Sequence, residues 1–556
     1  MWNFAPTSAP KVTVDRDQAV ATAWFRHGLS RPVNSLIGNQ FPSFPQRGKP
    51  LCHRRNSRSL FAQVRALPAF FKAATIVRRT TSDHDSCCGD RHESGGGQSM
   101  SRLGWMGTLR AGTALGILII ATAQANAGAL AIREQSPYGQ GTSYAGVAAG
   151  GAVSSMFWNP AVMTQFPGII AETAVSGVIS YASHTPHPGA NPTFPAPPFD
   201  LGAAPFSYPG DSNSLNPAFV PAAYYSYQLN PNLWLGLSIN SPFGLSVNFR
   251  DRWAGRDYGA GPGNLKTYNA APSIAYRIND WISVGAGIQL QYASLVFQEG
   301  VGPAPPLGGN AVLKGSGWGF GVTAGVTLTP TPTTLIGIGW RSGINQDFNG
   351  ILYVSPIPAA GITTPGTVGT TIRAPDIVSL GIRQRLDALW TVMGTVEWSH
   401  WSRTGTSQWT QPGGGVATIA STPVQFPFQY DDGWFFSVGA EYRWSDQVQL
   451  RAGVGYELSP INDRVRTPVI PDNDRFWASA GLTYQLGRGI HFDLAYTHIW
   501  VKDAPISISA ASGNPWFNGV VNYNGTVNGH ADIVSGALVV PFAALQPAPP
   551  KQLVTK

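Results

Sequence analysis

Histidine, acidic and cysteine side chains are the residues of this chain that could perform catalysis or bind a metal. One cluster comprises Asp83, His84, Asp85, Cys87, Cys88 and His92. A zinc site needs paired ligands on a scaffold that can close around the ion, and the cluster lies in a segment without such a pattern. We therefore predict no metal site. His491 and Asp493 share one face of a predicted strand, but no nucleophile elbow accompanies them. We predict no enzyme activity, and an outer-membrane lipid hydrolase stays as an alternative hypothesis.

The first 99 residues differ from the rest of the chain in charge. They contain all three cysteines, 14 of the 37 Lys and Arg residues and 6 of the 29 Asp and Glu residues. Their excess of positive charge equals the net charge of +8 of the whole chain. The remainder is close to neutral, so the basic balance gives no reason to expect nucleic-acid binding. We predict that residues 1–99 are a misassigned or disordered extension.

Residues 100–127 have the pattern of a secretory signal peptide. Arg102 and Arg110 supply positive charge, and residues 111–123 form an apolar run. That run is shorter than the roughly 20 residues that a membrane-spanning helix needs. Residues 125–127 form an Ala-Asn-Ala cleavage site. We predict that translation starts at Met100 and that the exported protein begins at Gly128.

The body of the chain shows repeated two-residue periodicity. In residues 282–292 the even positions are apolar or aromatic, whereas the odd positions are Ser, Gly and Gln. Residues 448–457 and 476–486 alternate in a similar way. Membrane-spanning strands alternate like this and need no long apolar run. Because glycine weakens an ordinary strand, the glycines on the polar face suit a curved wall packed against a plug.

The connections between the predicted strands alternate between short and long. The short turns fall at 230–232, 279–280, 329–333, 386–388, 445–446 and 487–489. The long segments are approximately 184–218, 242–265, 295–315, 347–372, 401–429, 458–473 and 502–528. Short periplasmic turns and long external loops are typical of outer-membrane barrels. The sequence predicts an all-β fold, a 14-stranded antiparallel transmembrane β-barrel at residues 169–542, followed by a tail at 543–556.

Tryptophans fall near both ends of the predicted strands. Those near the short turns are Trp234, Trp281 and Trp390, and those near the long loops are Trp398, Trp401 and Trp500. Two levels of tryptophan fit the aromatic girdles at the two membrane interfaces.

Residues 128–168 are rich in Ala, Gly and Ser and have too few large apolar side chains to form a core of their own. We predict that they form an N-terminal hatch, a plug inside the lumen. Motifs in this segment and beyond it resemble those of the FadL family, the outer-membrane channels for hydrophobic compounds. They are Glu134-Gln135-Ser136, Tyr144-Ala145-Gly146, Asn159-Pro160-Ala161, Asn240-Ser241-Pro242-Phe243-Gly244-Leu245, Ile470-Pro471-Asp472-Asn473-Asp474-Arg475 and Ala495-Tyr496-Thr497-His498. The resemblance runs from Gly128 to Phe542.

The resemblance implies a mechanism and a set of site residues. External loops would capture a hydrophobic ligand, which would enter an apolar pocket and leave sideways where the third strand kinks inward. Here that kink would comprise Ser241, Pro242, Phe243 and Gly244. The hatch motif Asn159, Pro160 and Ala161 would hold the hatch against the kink. Leu130 and Arg133 would be possible ligand contacts, and Arg133 could pair with a carboxylate.

The resemblance leaves the ligand open between long-chain fatty acids and aromatic hydrocarbons. The short, Gly- and Pro-rich third external loop, at 295–315, favours smaller hydrophobic compounds. A general porin is a further alternative, although a porin would lack the plug. We expect outer-membrane lipid and the barrel assembly machinery as partners, a monomeric state, and no cofactor.

Overall fold

The computed structural model describes residues 129–188, 208–211, 213–301, 308–355, 366–419 and 422–542. The predicted extension with its cysteines and acidic cluster, the predicted signal peptide and the C-terminal tail lie outside the described residues. Within the described ranges, one large sheet contains seventeen strand segments. Three strands are interrupted once each, so the segments make fourteen strands.

The bounds of the fourteen strands follow the chain in order. They are β1 (Ile169–Pro186), β2 (Ala218–Asn230), β3 (Leu233–Asn240 and Gly244–Phe249), β4 (Gly261–Arg277), β5 (Ile282–Val301), β6 (Gly309–Thr331), β7 (Thr334–Arg341 and Asn345–Val354), β8 (Gly366–Arg373 and Ile377–Arg385), β9 (Trp390–Ser399), β10 (Gly433–Arg443), β11 (Val448–Leu458), β12 (Arg475–Gly487), β13 (Ile490–Ile508) and β14 (Tyr523–Pro541).

The sheet closes on itself. β1 pairs with β2 on one side and with β14 on the other, where the register runs from Ile170 opposite Pro541 to Pro186 opposite Gly525. All of the pairings are antiparallel. A closed sheet leaves no edge with unpaired backbone groups, which is the requirement for crossing a membrane with strands. The predicted fold class is confirmed.

Apolar side chains cover the outside of this barrel. In β13, Leu494, Tyr496 and Trp500 are exposed, whereas Asp493 and Thr497 of the same strand are completely buried. This arrangement is the reverse of that in a water-soluble protein and matches a wall that faces lipid.

The predicted tryptophan girdles are correct for some positions and wrong for others. Trp281, Trp390 and Trp500 are exposed on the outer surface. Trp234 and Trp401 are buried instead. The indole nitrogen of Trp234 donates to the Phe166 carbonyl inside the barrel, at 2.8 Å.

The strands extend further into the external loops than the sequence predicts. β5 continues to Val301 and β6 begins at Gly309, so the third external connection is much shorter than 295–315. Leu313, which we expected in that loop, is buried in β6. The external connection between β9 and β10 includes the 3-10 helix Trp401–Thr404 and two small hairpins. No helix within the described ranges is long and apolar enough to cross a membrane.

Candidate functional site

Residues 129–166, here called the luminal segment, contain one short helix and three 3-10 helices. The helix α1 (Pro137–Gln140) begins with Ser136, whose hydroxyl accepts from the Gly139 amide at 3.0 Å, and with Pro137 at its first position. Both residue types favour a helix start. Gly146 and Gly150 have φ angles of 76° and 115°, values that glycine adopts without strain. The small residues of this segment therefore permit a compact, tightly turning path.

The luminal segment bonds to strands around the whole barrel. Its backbone and side chains contact β1 at Glu172, β9 at Gly394 and β14 at Ile533. Almost all of its side chains are buried. A buried segment that bonds to strands on opposite sides of a closed barrel lies inside that barrel.

Glycines of the wall make room for this segment. A Cβ at Gly325 would lie 2.0 Å from the Asn159 side-chain oxygen, and one at Gly339 would lie 1.9 Å from the Trp158 carbonyl. Gly337 and Gly453 approach the carbonyls of Ala148 and Thr142 as closely. The glycines on the inward face are therefore where the wall and the luminal segment touch.

The Asn159-Pro160-Ala161 motif forms the start of a 3-10 helix that is pressed against β5 and β6. The Asn159 amide donates to the carbonyls of Ala148 at 2.8 Å and Val326 at 2.9 Å. Its side-chain oxygen accepts from the Ala161 amide at 3.0 Å. The structure thus places the motif at β5 and β6 and not at the β3 kink, where we expected it.

β3 is interrupted at Ser241, Pro242 and Phe243. Its pairing with β4 stops at Asn269 and resumes at Lys266, so three residues of β3 face two of β4. An extra residue of this kind bends a strand, and Pro242 cannot donate to a ladder. The pairing of β3 with β2 ends at Ile239.

The start of the luminal segment covers the edge that this interruption exposes. The Ile132 amide donates to the Pro242 carbonyl at 2.8 Å, and the Gly244 amide donates to the Leu130 carbonyl at 2.9 Å. The Gln135 amide group also donates to the Ser241 carbonyl at 2.8 Å. Residues 130–135, rather than Asn159, therefore meet the kink.

An apolar cavity with about 860 Å³ of empty space, part of it open to solvent, lies beside the kink. Its lining includes Leu130 from the luminal segment and Phe243 from the kink. The external connections contribute the aromatic side chains Trp401, Phe426, Phe428 and Trp516. Arg373 is the one charged residue in this lining, and it is exposed. The cavity has the composition of a site for a hydrophobic small molecule.

A second, charged cavity adjoins the first, with Phe243 and Trp401 in both linings. Its empty space is about 760 Å³, part of it open to solvent. Arg133 lies there, with its guanidinium 2.7 Å from Glu397 and 3.6 Å from Glu457. It also lies over the Phe435 ring, 3.8 Å from the ring centre. The two predicted ligand contacts, Leu130 and Arg133, therefore line neighbouring cavities.

Glu134 is buried with both carboxylate oxygens lacking a hydrogen-bond partner. Burial raises the pKa of its carboxyl to about 7, although Arg133 and Arg475 oppose that shift. Between pH 5 and pH 7 this carboxyl is mostly uncharged.

Sequence reasoning missed most of the cavity wall. The aromatic residues within 401–429 and at Trp516 were treated only as parts of long loops. Their density, as in the run Phe426-Pro427-Phe428, was the available signal. The pair formed by His491 and Asp493 has a structural explanation, because Asp493 is completely buried and bonds to Arg451 at 2.9 Å. The described residues contain no group of three or more side chains that could hold a metal ion.

A closed barrel with an apolar outer surface, a filled lumen and an internal apolar cavity defines an outer-membrane channel protein. The chain belongs to the family described as outer membrane protein transport protein (OMPP1/FadL/TodX), whose model matches residues 118–542. The protein is therefore located in the outer membrane.

Two relatives illustrate the similarity in sequence. The chain is 27% identical over 451 residues to the long-chain fatty acid transport protein of Salmonella typhi. The alignment covers 74% of this chain and 97% of that protein. It is 27% identical over 418 residues to outer membrane protein P1 of Haemophilus influenzae, with 69% of this chain and 88% of that protein covered.

Solved structures show the same fold. A Pseudomonas aeruginosa FadL homologue superposes with a TM-score of 0.65 at 21% identity, covering 75% of this chain and all, 100%, of that one. The Pseudomonas putida toluene transporter TodX gives a TM-score of 0.52 at 15% identity, covering 74% of this chain and 99% of that one.

Proposed function

We propose that this protein takes up hydrophobic compounds passively across the outer membrane. The observation that supports the proposal is the apolar cavity, whose wall includes both Leu130 of the luminal segment and Phe243 of the β3 kink. A ligand in this cavity touches the segment that covers the kink. Displacing residues 130–132 would uncover the edge of β3 and let the ligand leave sideways into the membrane. The luminal segment would then act as a hatch.

Long-chain fatty acids are the ligands that we propose first. The relative from Salmonella typhi is named a long-chain fatty acid transport protein, and the lining of the cavity is almost entirely apolar, as an acyl chain requires. Aromatic hydrocarbons are the second candidate, because aromatic side chains from the external connections line the cavity and stack favourably with aromatic rings. The third external loop no longer favours either class of ligand, because the residues that flank it belong to strands β5 and β6.

We propose that the protein works as a monomer and without a cofactor, because one chain encloses the whole cavity. Outer-membrane lipid surrounds it, and the barrel assembly machinery inserts it. We expect no lipid hydrolysis, and loss of a measured hydrolase activity on changing His491 would contradict this. We also expect no steady aqueous conductance in planar bilayers, because the lumen is filled. A stable open pore would favour the general porin.

Uptake of labelled oleate and labelled toluene tests the proposal. Cells that lack their own channel of this type would express the full chain or the double variant Pro160→Ala, Gly244→Glu. We expect the double variant to lose uptake of both compounds. Uptake of oleate by the full chain would support fatty acids as ligands, and uptake of toluene alone would support aromatic hydrocarbons.

A matched control is Arg443→Ala, which removes an exposed arginine at a short turn far from the cavity. It should leave uptake of both compounds unchanged. A folded wild-type protein that takes up neither compound would contradict the proposed function.

A further inference from the structure

The barrel wall has a second discontinuity, between β6 and β7. The two strands form ladder pairs in their external halves as far as Ser316 opposite Asn349, and again from Thr323 opposite Arg341. Residues 317–322 of β6 and 342–348 of β7 lie between these points without ladder pairs. We call this stretch the β6–β7 seam.

Side chains supplement the backbone bonding along the seam, where the Ser342 amide still donates to the Val322 carbonyl at 2.9 Å. The Ser342 hydroxyl accepts from the Val322 amide at 2.8 Å. The side-chain amide of Gln346 donates to the Gly317 carbonyl at 2.7 Å, and that of Gln289 in β5 donates to the Val322 carbonyl at 2.8 Å. Backbone groups within a membrane need partners. Bonds to side chains can be released by rotation of those side chains, without separating the paired halves of the strands.

Three glycines allow β7 to cross the inner face of β6 along the seam. A Cβ at Gly317 would lie 1.9 Å from the Asp347 carbonyl, one at Gly319 would lie 2.5 Å from the Ile344 side chain, and one at Gly321 would lie 2.8 Å from the Ser342 hydroxyl. The alternating glycines of residues 315–321 therefore permit two overlapping strands in place of two paired edges.

The seam separates the ligand cavities from the membrane by one layer of backbone. On the inside, Gln346 and Phe348 line the apolar cavity, and Ile344 lines the charged one. On the outside, Trp318 and Phe320 are 58% and 67% exposed. An apolar surface thus faces an apolar cavity across the weakest part of the wall.

We propose that the β6–β7 seam is a second lateral portal, through which the apolar part of a hydrophobic ligand passes between the cavity and the membrane. The inference rests on the proposed function, since it needs a ligand in the cavity. The seam is closed in this structure. It opens when the side-chain bonds of Gln289, Ser342 and Gln346 to the backbone of β6 exchange to other partners and the backbone bond from Ser342 to Val322 breaks.

An ion pair links this portal to the connection that covers the cavity. Arg403 lies in the connection between β9 and β10, which also contributes Phe426 and Phe428 to the cavity wall. Its guanidinium is 2.6 Å from Asp376 and donates to Asn345 of β7 at 3.3 Å. Movement of this connection around a ligand therefore acts on the part of β7 that forms the seam.

A disulfide across the seam tests the proposal. The variant Gly321→Cys, Ser342→Cys suits a disulfide, because a Cβ at Gly321 would lie 2.8 Å from the Ser342 hydroxyl oxygen. All three native cysteines lie in the first 99 residues, so the described barrel offers no competing thiol. The matched control is Val438→Cys, Val454→Cys, an exposed ladder pair between β10 and β11. Oleate uptake is measured for each variant in its oxidised and reduced forms.

We expect oxidation to lower oleate uptake in the seam variant and to leave the control unchanged. Equal uptake by the two forms of the seam variant, with the disulfide verified by mass, would overturn the portal. Lack of uptake of both oleate and toluene by the wild-type protein would instead overturn the proposed function.

A second variant, Gln346→Met, addresses the case in which the double-cysteine protein does not fold. It removes the bond to the Gly317 carbonyl and the bond that Gln346 accepts from Gln291, at nearly constant volume. Loss of the bond across the seam should shift the opening equilibrium about fivefold, so oleate uptake should rise. Unchanged uptake by a folded Gln346→Met protein would contradict the portal.

Discussion

Single buried charges hold the start of the luminal segment in place. Arg133 faces two carboxylates, Glu397 and Glu457, and its own side chain is only 10% exposed. Removal of one member of a buried ion pair leaves the other charge without compensation, which costs far more than loss of an exposed pair. Among the described residues, Arg133 lies within ion-pair distance of both carboxylates, and Arg341 lines the same cavity.

Replacement of Arg133 should destabilise the protein. We expect Arg133→Ala to lower the free energy of unfolding by about 3–5 kcal/mol, because Glu397 and Glu457 stay buried without their cation. Urea unfolding in detergent micelles measures the change. In Arg443→Ala, which breaks an exposed pair with Asp446, the loss should be at most about 1 kcal/mol. Equal losses in the two variants would show that the Arg133 pair contributes no special stability.

Glu134 should make the stability of the protein depend on pH. Burial raises its pKa to about 7 in the folded state, above its usual value near 4.5 in the unfolded state. The folded protein therefore binds more protons between these values, and stability falls as the pH rises from about 4.5 to about 7. Arg133, Arg475, Glu457 and Tyr144 are the ionisable groups around it.

The variant Glu134→Gln removes this dependence. At pH 8 we expect it to be more stable than the wild-type protein by up to roughly 3 kcal/mol, with little difference at pH 4.5. Unfolding midpoints measured at both pH values test the sign. A variant that is less stable at pH 8 would show that the Glu134 carboxylate has a partner that compensates its charge.

At the scale of strands, glycine positions decide where the luminal segment can lie. Gly325, Gly337 and Gly339 of β6 and β7 touch the backbone or side chains of that segment. A larger residue at these positions would push the segment away from the wall, because carbonyl groups of the main chain cannot rotate aside as a side chain can.

We therefore expect Gly339→Ala to displace the turn at Trp158 and to expose the luminal segment. Overpacking of this kind costs about 1–3 kcal/mol. Hydrogen–deuterium exchange of peptides within residues 150–166 should become faster. The control is Gly394→Ala in β9, where an added Cβ would meet its nearest neighbours at an ordinary 3.7 Å. Faster exchange in both variants would show that the effect is not specific to this contact.

Strands and turns could be predicted from the sequence because they depend on local patterns. Two-residue periodicity and turn residues determine where β5 and β11 begin, at the periplasmic side. The external ends could not be predicted as well. Residues 295–301 and 309–315 flank a stretch rich in Gly and Pro and were expected in a loop, but pairing over the full length of β5 and β6 keeps them extended. Distant pairing overrides local preference there.

The candidate site was only partly predictable for the same reason. Pro242 within a predicted strand indicated the interruption of β3. The positions of Trp401 and Asn159 could not be deduced, because each depends on contacts with residues far away in the sequence. Asn159, for example, bonds to Val326 in β6. A motif can be recognised without revealing which part of the wall it faces.

At the scale of the whole molecule, the start of the exported protein stays a prediction. We expect mass spectrometry of the protein purified from outer membranes to give an N-terminus at Gly128, because the Ala-Asn-Ala motif at residues 125–127 fits signal peptidase. Expression from Met100 should give the same mass. A mature protein that retains residues before Met100 would contradict the interpretation of residues 1–99 as an extension.

The hydrogen bonds between the two ends of the chain have a consequence for biogenesis. Gln140 bonds to Ile533 and Ser535 of β14, and β1 shares its whole length with β14. The residues that are exported first therefore cannot form these contacts until the residues that are exported last are available. Such distant pairing slows folding. We therefore expect the barrel to close only after its last strand has become available.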